Sequence, residues 1–450
     1  MSGATVKAFE TQFEFSGARG HAVIVDFDKP WRFVFWDKAQ YVGCVDLGNG
    51  VMFTPEWCEV NSPNDEECYE PIMDKKLRWS RVEILEAGPA RARVKWSYAL
   101  NDMRYKVFHG NTMADEIYTI YPDGVAVREV MIWPGNASKH GGNANFWQVE
   151  EWILINRAGS RPTDFIRPSE ALTLQSGAGD VVKLKWPLPA KDGPLCGFHP
   201  EIADWKNYIG RIGLKGVPNP FTAIPKSQAL FPYIRCAGCG KDHPFMKVFG
   251  RKNGHPIYYH WPATDMEDFI MGALAHDKVR KVATHTSFMN CNYAWRCSDD
   301  DFVPTPFAGT TWYMLVGAVP EESDPAKLDQ LMLSYRQPAA VVMTRDAGEK
   351  GDPRRGRVIF EGFDYSIRAY AFRQHSDEDR VEFSLQPAKP IVNPAFRILN
   401  WSTAPERTRV KVNGKDLDPR GYAAQTSGRD LVVWVDDVWL DRTQIGIFGS

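Results

Sequence analysis

The sequence predicts an all-β protein, with a large antiparallel β-sandwich followed by a smaller C-terminal β-domain. Three observations support this fold class. Apolar and polar residues alternate over long stretches, and a Pro-Asp-Gly turn joins two of these stretches. Aromatic residues, which favour strands, are abundant, with 16 Trp, 16 Tyr and 25 Phe. The 450 residues are 44% hydrophobic, so the chain can bury a large core and divide into two domains.

The clearest alternation runs from Ala90 to Leu100, where every second residue is apolar and most of the residues between are polar. A period of two places one face of a strand in a core and the other in water. This segment is therefore predicted to be a half-buried strand. Further strands are predicted from similar composition at His21–Phe27, Arg32–Trp36, Arg78–Leu85, Val181–Trp186 and Thr311–Val316.

A hairpin is predicted around Pro122-Asp123-Gly124, which separates the strand-like runs Glu116–Tyr121 and Val125–Trp133. Proline presets φ for the turn, and glycine accepts the positive φ that the turn requires. The two runs should therefore pair as neighbouring antiparallel strands.

One segment has helical rather than strand periodicity. Ser323-Asp324-Pro325 is typical of a helix start, with a capping residue and proline in the first turn. Apolar residues then recur at helical spacing until Pro338, and the pattern predicts a helix over Ser323–Gln337. The apolar positions are Leu328, Leu331, Met332 and Tyr335.

We expect this helix to close the first domain. The predicted organisation is a large sandwich carrying the site at residues 1–322, a helix and linker at 323–353, and a C-terminal β-sandwich at 354–450. Strands of the last domain are predicted at Arg357–Phe363, Tyr365–Phe372, Arg380–Leu385, Thr408–Val412 and Leu431–Trp434.

Charge and hydropathy narrow the class of partner. Charged residues make up 24% of the chain and the formal net charge is −2, so neither disorder nor a nucleic-acid-binding surface is expected. No apolar run approaches the ~20 residues of a membrane span. The segment Met1–Glu10 lacks the layout of a signal peptide. A cytoplasmic location is expected if Met1 is the native start, and an extracytoplasmic one if a leader has been removed.

A metal-binding pattern occurs at Cys236, Cys239 and His243, which have the spacing of half a zinc site. A second Cys-x-x-Cys is missing from the sequence, so a fourth ligand would come from far along the chain. The eight cysteines also suit disulfides or free thiols. Zinc and calcium are the candidate metals, and the sequence requires neither.

The hairpin sequence IYTIYPDGVAVREVMI, with long strands around it, resembles the galactose-mutarotase-like supersandwich. That fold occurs in sugar mutarotases, in a domain of large β-galactosidases and in the central domain of many polysaccharide lyases. The resemblance covers roughly residues 20–320. The helical toroid that precedes the sandwich in many of these lyases is missing from the sequence, which argues against an endo-acting lyase of that architecture.

Two segments are similar to uncharacterised proteins of polysaccharide-degradation loci. They are EPIMDKKLRWSRVEILEAGPARARVKWSYAL and His260-Trp261-Pro262. This resemblance implies a carbohydrate substrate and brings no catalytic residues with it.

The first candidate site is a glycine-rich loop that begins near His140 and continues into an aromatic strand. In a regular strand, Asn145 and Trp147 share one face, while Gln148 and Glu150 share the other. The alternative is the exposed polar face of an ordinary strand. Amide, carboxylate and aromatic side chains suit sugar binding, and the candidates here are Asn143, Asn145, Trp147, Gln148 and Glu150.

The second candidate site is the segment 254–262, which holds two histidines, two tyrosines and a tryptophan. Tyr258 and His260 project to the same side of a strand, and Trp261 projects to the other. Histidine titrates near neutrality and tyrosine can donate a proton, so Tyr258 and His260 suit acid–base catalysis. Trp261 is a candidate substrate-binding residue. The alternative is an aromatic core strand.

A third cluster surrounds His285 in Thr284–Ser287. His285 is a candidate catalytic residue, together with His140, provided that it approaches His260 in the folded chain. A lone buried histidine is otherwise structural. The acidic residues between the second and third clusters are candidate carboxylates or metal ligands: Asp265, Glu267 and Asp268.

The leading functional hypothesis is a lyase that cleaves a uronic-acid-containing polysaccharide or oligosaccharide by β-elimination. Such an enzyme neutralises the uronate carboxylate, withdraws the neighbouring proton and protonates the leaving oxygen. Amides such as Asn143, Asn145 or Gln148 suit the first task. His260 or His285 suits the role of base, and Tyr258 or Tyr259 the role of acid.

Three alternatives remain at this point. A glycoside hydrolase would use paired carboxylates, with Glu150 or Glu151 opposite Asp265, Glu267 or Asp268. A mutarotase or epimerase would use one histidine and one carboxylate. A non-catalytic carbohydrate-binding protein would show stacked surface aromatics without convergent histidine, tyrosine and amide groups.

Overall fold

The fold is that of a computed structural model. The residues it describes are 4–62, 67–102, 104–133, 145–176, 179–185, 208–224, 231–234, 261–262, 283–295, 310–323, 325–344, 358–375 and 378–449.

Strands dominate the first part of the chain. In order they are β1 (Val6–Phe15), β2 (Ala18–Phe27), β3 (Arg32–Trp36), β4 (Gly43–Asp46), β5 (Val51–Thr54), β6 (Glu59–Ser62), β7 (Glu67–Tyr69), β8 (Arg81–Ala87), β9 (Ala92–Ala99), β10 (Met113–Ile120), β11 (Val125–Trp133), β12 (Asn145–Asn156), β13 (Leu172–Ser176), β14 (Val181–Leu184), β15 (Tyr208–Ile212), β16 (Asn219–Ile224), β17 (Phe231–Ile234), β18 (Thr284–Trp295) and β19 (Thr310–Val319). A short helix, α1 (Pro162–Phe165), follows β12.

These strands form two antiparallel sheets. The first has the order β1-β2-β3-β4-β5-β12-β18-β17, and β6 pairs with both β12 and β7. The second has the order β14-β13-β15-β16-β19-β11-β10-β9-β8. The predicted large antiparallel sandwich is therefore confirmed.

The core of the sandwich lies between these sheets. Phe35 of β3 meets Tyr118 of β10 edge to face, with ring centroids 5.1 Å apart. At Gly210 of β15 a Cβ atom would collide with the indole of Trp152 on β12. Only glycine lets the two sheets approach so closely at this point.

The alternating segment is confirmed as β9. Val94, Trp96 and Tyr98 are fully buried. Arg91, which the alternation places in water, is instead 2% exposed, and its Nε donates a hydrogen bond of 2.8 Å to Glu86 Oε2. The local pattern does not predict this burial, because the burial comes from contact with the C-terminal domain. Arg91 N donates a hydrogen bond to Gln425 Oε1 in that domain.

The Pro-Asp-Gly hairpin is also confirmed, since β10 pairs with β11 in antiparallel register. Gly124 has a φ of +77° and donates from its N–H to Tyr121 O at 2.9 Å. Asp123 Oδ1 accepts a hydrogen bond of 3.1 Å from Val125 N, so the aspartate side chain stabilises the turn.

The predicted helix is observed as α2 (Pro325–Arg336). Its four predicted apolar positions are buried, and they pack against Val125, Phe221 and Leu315 on the outer face of the second sheet. Among the described residues, no helix combines the length and the apolar character that a membrane crossing requires.

The rest of the chain forms a second β-rich unit. Its strands are β20 (Ala340–Met343), β21 (Val358–Asp364), β22 (Ala369–Gln374), β23 (Arg380–Gln386), β24 (Ile391–Val392), β25 (Ala395–Leu399), β26 (Thr408–Val412), β27 (Lys415–Asp416), β28 (Tyr422–Ser427), β29 (Asp430–Val435), β30 (Val438–Trp439) and β31 (Thr443–Gly449).

Two five-stranded sheets, β20-β23-β31-β26-β27 and β21-β22-β25-β29-β28, face each other across a second hydrophobic core. β22 and β25 run parallel, and β24 and β30 form a separate pair. The start of the predicted strand Tyr365–Phe372 is wrong. Residues 365–368 form a turn, and β22 begins only at Ala369. Arg368 in this turn has a φ of +47°, which a strand does not accommodate.

A buried ion pair joins the two β-rich parts of the chain. Arg368 Nη2 lies 2.6 Å from Asp123 Oδ2 in the hairpin turn, and Asn393 Nδ2 donates to the same oxygen at 3.2 Å. Tyr121 OH donates a hydrogen bond to Ile367 O. The boundaries proposed above, residue 322 and residue 354, stay a prediction.

Replacing Asp123 with Ala should lower the free energy of unfolding by about 1.5–3 kcal/mol, the range for a hydrogen bond to a charged group. The Arg368 guanidinium would stay buried without its carboxylate. Urea denaturation checks this, with Asp28→Ala as the control at an exposed aspartate. A loss no larger than that of the control would mean that this pair contributes nothing to joining the two parts.

Candidate functional site

Four buried glutamates meet at one end of the first sheet, and we call Glu56, Glu59, Glu70 and Glu151 the Glu cluster. None is more than 3% exposed. One carboxylate oxygen from each of Glu56, Glu59 and Glu151 lies within 4.8 Å of the others. Carboxylates so close together strongly favour a shared proton or a bound cation over full ionisation.

Strand pairing explains how these residues come together. Glu56 lies in the loop between β5 and β6, and Glu59 is the first residue of β6. β6 pairs with the start of β12, which carries Glu151. Glu70 directly follows β7, the other neighbour of β6. Glu56 has a φ of +71°, so the loop holds it in an unfavourable backbone conformation.

Glu70 has an unusual environment. Its Oε2 accepts a hydrogen bond of 3.1 Å from Trp57 Nε1, while its Oε1 is buried without a hydrogen-bond partner among the described residues. Burial raises the pKa of Glu70 well above its usual value, and the nearby charges of Glu59 and Glu151 raise it further. The neutral form of this carboxyl group is therefore favoured.

A buried lysine lies near the cluster. Lys75 Nζ is shielded from solvent and has no hydrogen-bond partner in the described part of the chain. Burial lowers the pKa of this ammonium to about 8, although the charge of Glu70 opposes the change. The ammonium is thus more easily deprotonated than an ordinary lysine.

A buried polar network anchors the loop that carries Glu56. Arg128 and Glu116 are both fully buried and make two hydrogen bonds of 2.7 Å, and Arg128 Nη1 also donates to Pro55 O at 3.1 Å. Tyr98 OH donates to Glu116 Oε1 at 2.8 Å and accepts from Cys58 N at 2.7 Å. Both ends of the loop 55–58 are therefore tied to the second sheet.

Aromatic rings connect the Glu cluster to a histidine. Trp57 packs edge to face on Trp261 at 5.1 Å, and Trp261 packs in the same way on His285 at 5.3 Å. His285 Nδ1 lies 3.0 Å from Trp261 O. His285 is 8% exposed, which makes it the most accessible member of this group.

This hydrogen bond defines the tautomer of the neutral ring. A backbone carbonyl only accepts hydrogen bonds, so Nδ1 of His285 must carry the hydrogen. Nε2 then carries the lone pair when the imidazole is neutral. His285 is therefore set up to accept a proton at Nε2.

The structure brings together two of the predicted site residues, Trp261 and His285, and shows Trp261 fully buried between Trp57 and His285. For the residues on β12 it describes only the backbone: Asn145, Trp147, Gln148 and Glu150. The other predicted residues lie outside the described part of the chain: His140, Asn143, Tyr258, His260, Cys236, Cys239 and His243.

The backbone of β12 also departs from a regular strand. Its register against β18 shifts between Gln148 and Glu150 and again between Glu151 and Ile153. Side chains do not alternate regularly through such irregularities. The expected grouping of Gln148 with Glu150 on one face therefore does not follow from the sequence pattern.

Sequence reasoning missed three members of the Glu cluster and considered only Glu151, as a hydrolase carboxylate. A local signal was present, because Glu56 and Glu59 flank Trp57 and Cys58 in an otherwise apolar segment. Charged residues are rarely buried unless they are paired or bind metals. Acidic residues inside an apolar run are thus a usable indication of a buried site.

The sequence matches no protein-family model, and no curated protein is significantly similar to it. Among solved structures, α-N-acetylgalactosaminidase NagBb from Bifidobacterium bifidum is similar with 8% identity and a TM-score of 0.33, over 72% of this chain and 39% of that chain. This chain thus spans about two fifths of the length of NagBb.

Two further structures are similar at the same level. Galactose 1-epimerase from Lactobacillus acidophilus NCFM has 8% identity and a TM-score of 0.26, over 70% of this chain and 99% of that chain. Lysyl oxidase PPLO from Pichia pastoris has 8% identity and a TM-score of 0.23, over 72% of this chain and 42% of that chain. At these sequence identities and TM-scores, the similarity supports no conclusion about function. The function therefore has to be inferred from the site.

Proposed function

We propose that this protein is a carbohydrate-active enzyme in which His285 is the general base, and that it cleaves a uronic-acid-containing glycan by β-elimination. The observation that carries the proposal is the hydrogen bond between His285 Nδ1 and Trp261 O. It holds the neutral ring in the tautomer whose Nε2 can take a proton.

β-Elimination needs such a base, because its first step removes the proton beside the uronate carboxyl group. His285 is 8% exposed, more than the tryptophans and glutamates packed behind it. His260 and Tyr258 precede Trp261 closely in the sequence and are the proposed sources of the acid. Asn143, Asn145 and Gln148 are proposed to neutralise the carboxylate.

The Glu cluster does not favour the hydrolase alternative. Paired glycosidase carboxylates flank the scissile bond, so both must be accessible to a sugar. Glu56, Glu59, Glu70 and Glu151 are instead shielded from solvent, and Glu70 is held by Trp57. We therefore assign the cluster no part in attacking the glycan.

The test is a screen of uronic-acid polysaccharides with the full chain. We expect at least one of them to yield products with the ultraviolet absorbance of an unsaturated uronate, since elimination leaves a double bond conjugated to the carboxyl group. Neutral polysaccharides serve as the control. Reducing ends without this absorbance would show hydrolysis, and binding without either product would show a non-catalytic protein; both would contradict the proposal.

A further inference from the structure

The Glu cluster has the oxygen geometry of a cation site. Ca²⁺ binds oxygen ligands at about 2.3–2.6 Å, so two ligand oxygens on opposite sides of the ion lie up to about 5.2 Å apart. The three mutually close oxygens of Glu56, Glu59 and Glu151 fall within 4.8 Å of one another. They can therefore share one coordination sphere.

Glu70 supplies a second observation. Its side chain is fully buried and points into the cluster, where its carboxyl group lies within hydrogen-bonding reach of Glu59. Trp57 satisfies Oε2, whereas Oε1 has no hydrogen-bond partner among the described residues. A buried carboxyl oxygen without a partner requires an explanation, and a bound ion is one that suits acidic surroundings.

The chemistry of the donors indicates the class of ion. All four side chains offer carboxylate oxygens, which hard cations prefer. The three carboxylates of Glu56, Glu59 and Glu151 together hold six oxygens, within the six to eight that Ca²⁺ takes, whereas Mg²⁺ is usually bound through only one or two carboxylates and several waters.

We infer that the Glu cluster binds Ca²⁺, with Glu56, Glu59 and Glu151 as ligands and Glu70 completing the site. The ion would join the loop between β5 and β6 to β12. No residue assigned to the proposed elimination is a ligand. The experiment that tests this site contains no glycan, so its outcome is independent of the proposed reaction.

The test uses the full chain after treatment with EDTA. Addition of CaCl₂ should load about one calcium ion per chain and raise the melting temperature, because a ligand that binds only the folded state stabilises it. Glu151→Gln should weaken calcium binding at least about tenfold, the low end of the loss when a supporting group of a metal site is removed. Glu56→Gln should do the same if Glu151→Gln does not fold.

The matched control is Glu129→Gln, which neutralises a partly buried carboxylate of β11 in the other sheet. It should bind calcium as the unaltered chain does. Two results would overturn the inference. One is a chain that takes up no calcium at millimolar CaCl₂, and the other is calcium binding that survives both Glu151→Gln and Glu56→Gln.

Glu70→Gln tests the fourth member of the cluster. It should reduce the increase in melting temperature that CaCl₂ produces, because it removes one of the carboxylate charges around the ion. An unchanged calcium effect in this variant would contradict the role of Glu70.

Discussion

Replacing Arg128 with Met should lower the free energy of unfolding by about 3–5 kcal/mol, because the change leaves the Glu116 carboxylate buried without its partner. The two side chains are fully buried and joined by two hydrogen bonds of 2.7 Å. Methionine keeps most of the volume of the arginine stem, so the loss would come from the charge and the hydrogen bonds rather than from a cavity. Urea denaturation measures the effect.

The matched control is the double variant Arg128→Met with Glu116→Gln. It removes both charges and keeps one acceptor oxygen for Tyr98 or Tyr118, whose hydroxyls donate to different oxygens of the carboxylate. The amide nitrogen takes the other position and can donate to the remaining hydroxyl. It should therefore be more stable than Arg128→Met alone. A single variant that loses less than about 1 kcal/mol, the upper end for exposed ion pairs, would show that the pair is not held in a dry core.

The same network has a consequence for the site. Arg128 contacts Pro55 O, and Tyr98 contacts Cys58 N, on either side of the cluster residue Glu56. A loop with one glutamate at positive φ needs such anchors, because its own backbone does not favour the conformation. The Arg128 network thus acts as a support for the Glu cluster.

The strands were predictable from the sequence where their alternation is regular. β9 and the hairpin of β10 and β11 carry a period of two and a turn whose residues have defined roles. The helix α2 was predictable for the same reason, since capping and helical spacing agree over Pro325–Arg336. In each case the signal lies within a few residues of the element that it specifies.

The Glu cluster could not be predicted in this way. Glu56 and Glu151 are far apart in the sequence, and they meet because β6 pairs with β12. Neither strand encodes its partner in its own pattern. The irregular register of β12 adds to the difficulty, because it breaks the alternation from which side-chain directions were inferred.

The sequence posed only the question whether His285 approaches His260, because this depends on how β18 lies relative to the segment that ends at Pro262. His260 lies outside the described residues, but the carbonyl oxygen of the next residue, Trp261, lies 3.0 Å from His285 Nδ1. The sequence alone showed only that a histidine and a tryptophan stand at these two positions. The structure adds the orientation of one ring, and that orientation can be tested directly.

The histidine variants should separate a base from a structural side chain. His285→Ala and His285→Asn are both expected to lower turnover on the uronic-acid glycan by about 10²–10⁴, the usual contribution of a general base. Asparagine places an N–H close to the position of Nδ1, so it can still donate to Trp261 O but has no counterpart of Nε2. The melting temperature of His285→Asn should therefore be closer to that of the unaltered chain than the melting temperature of His285→Ala is.

The decisive comparison is activity per folded molecule in His285→Asn. If the hydrogen bond to Trp261 O were all that His285 contributes, asparagine would restore both stability and turnover. Retained stability with lost turnover is the result that a proton-accepting Nε2 requires. An active His285→Asn variant would remove His285 from the chemistry and leave it as a buried support for Trp261.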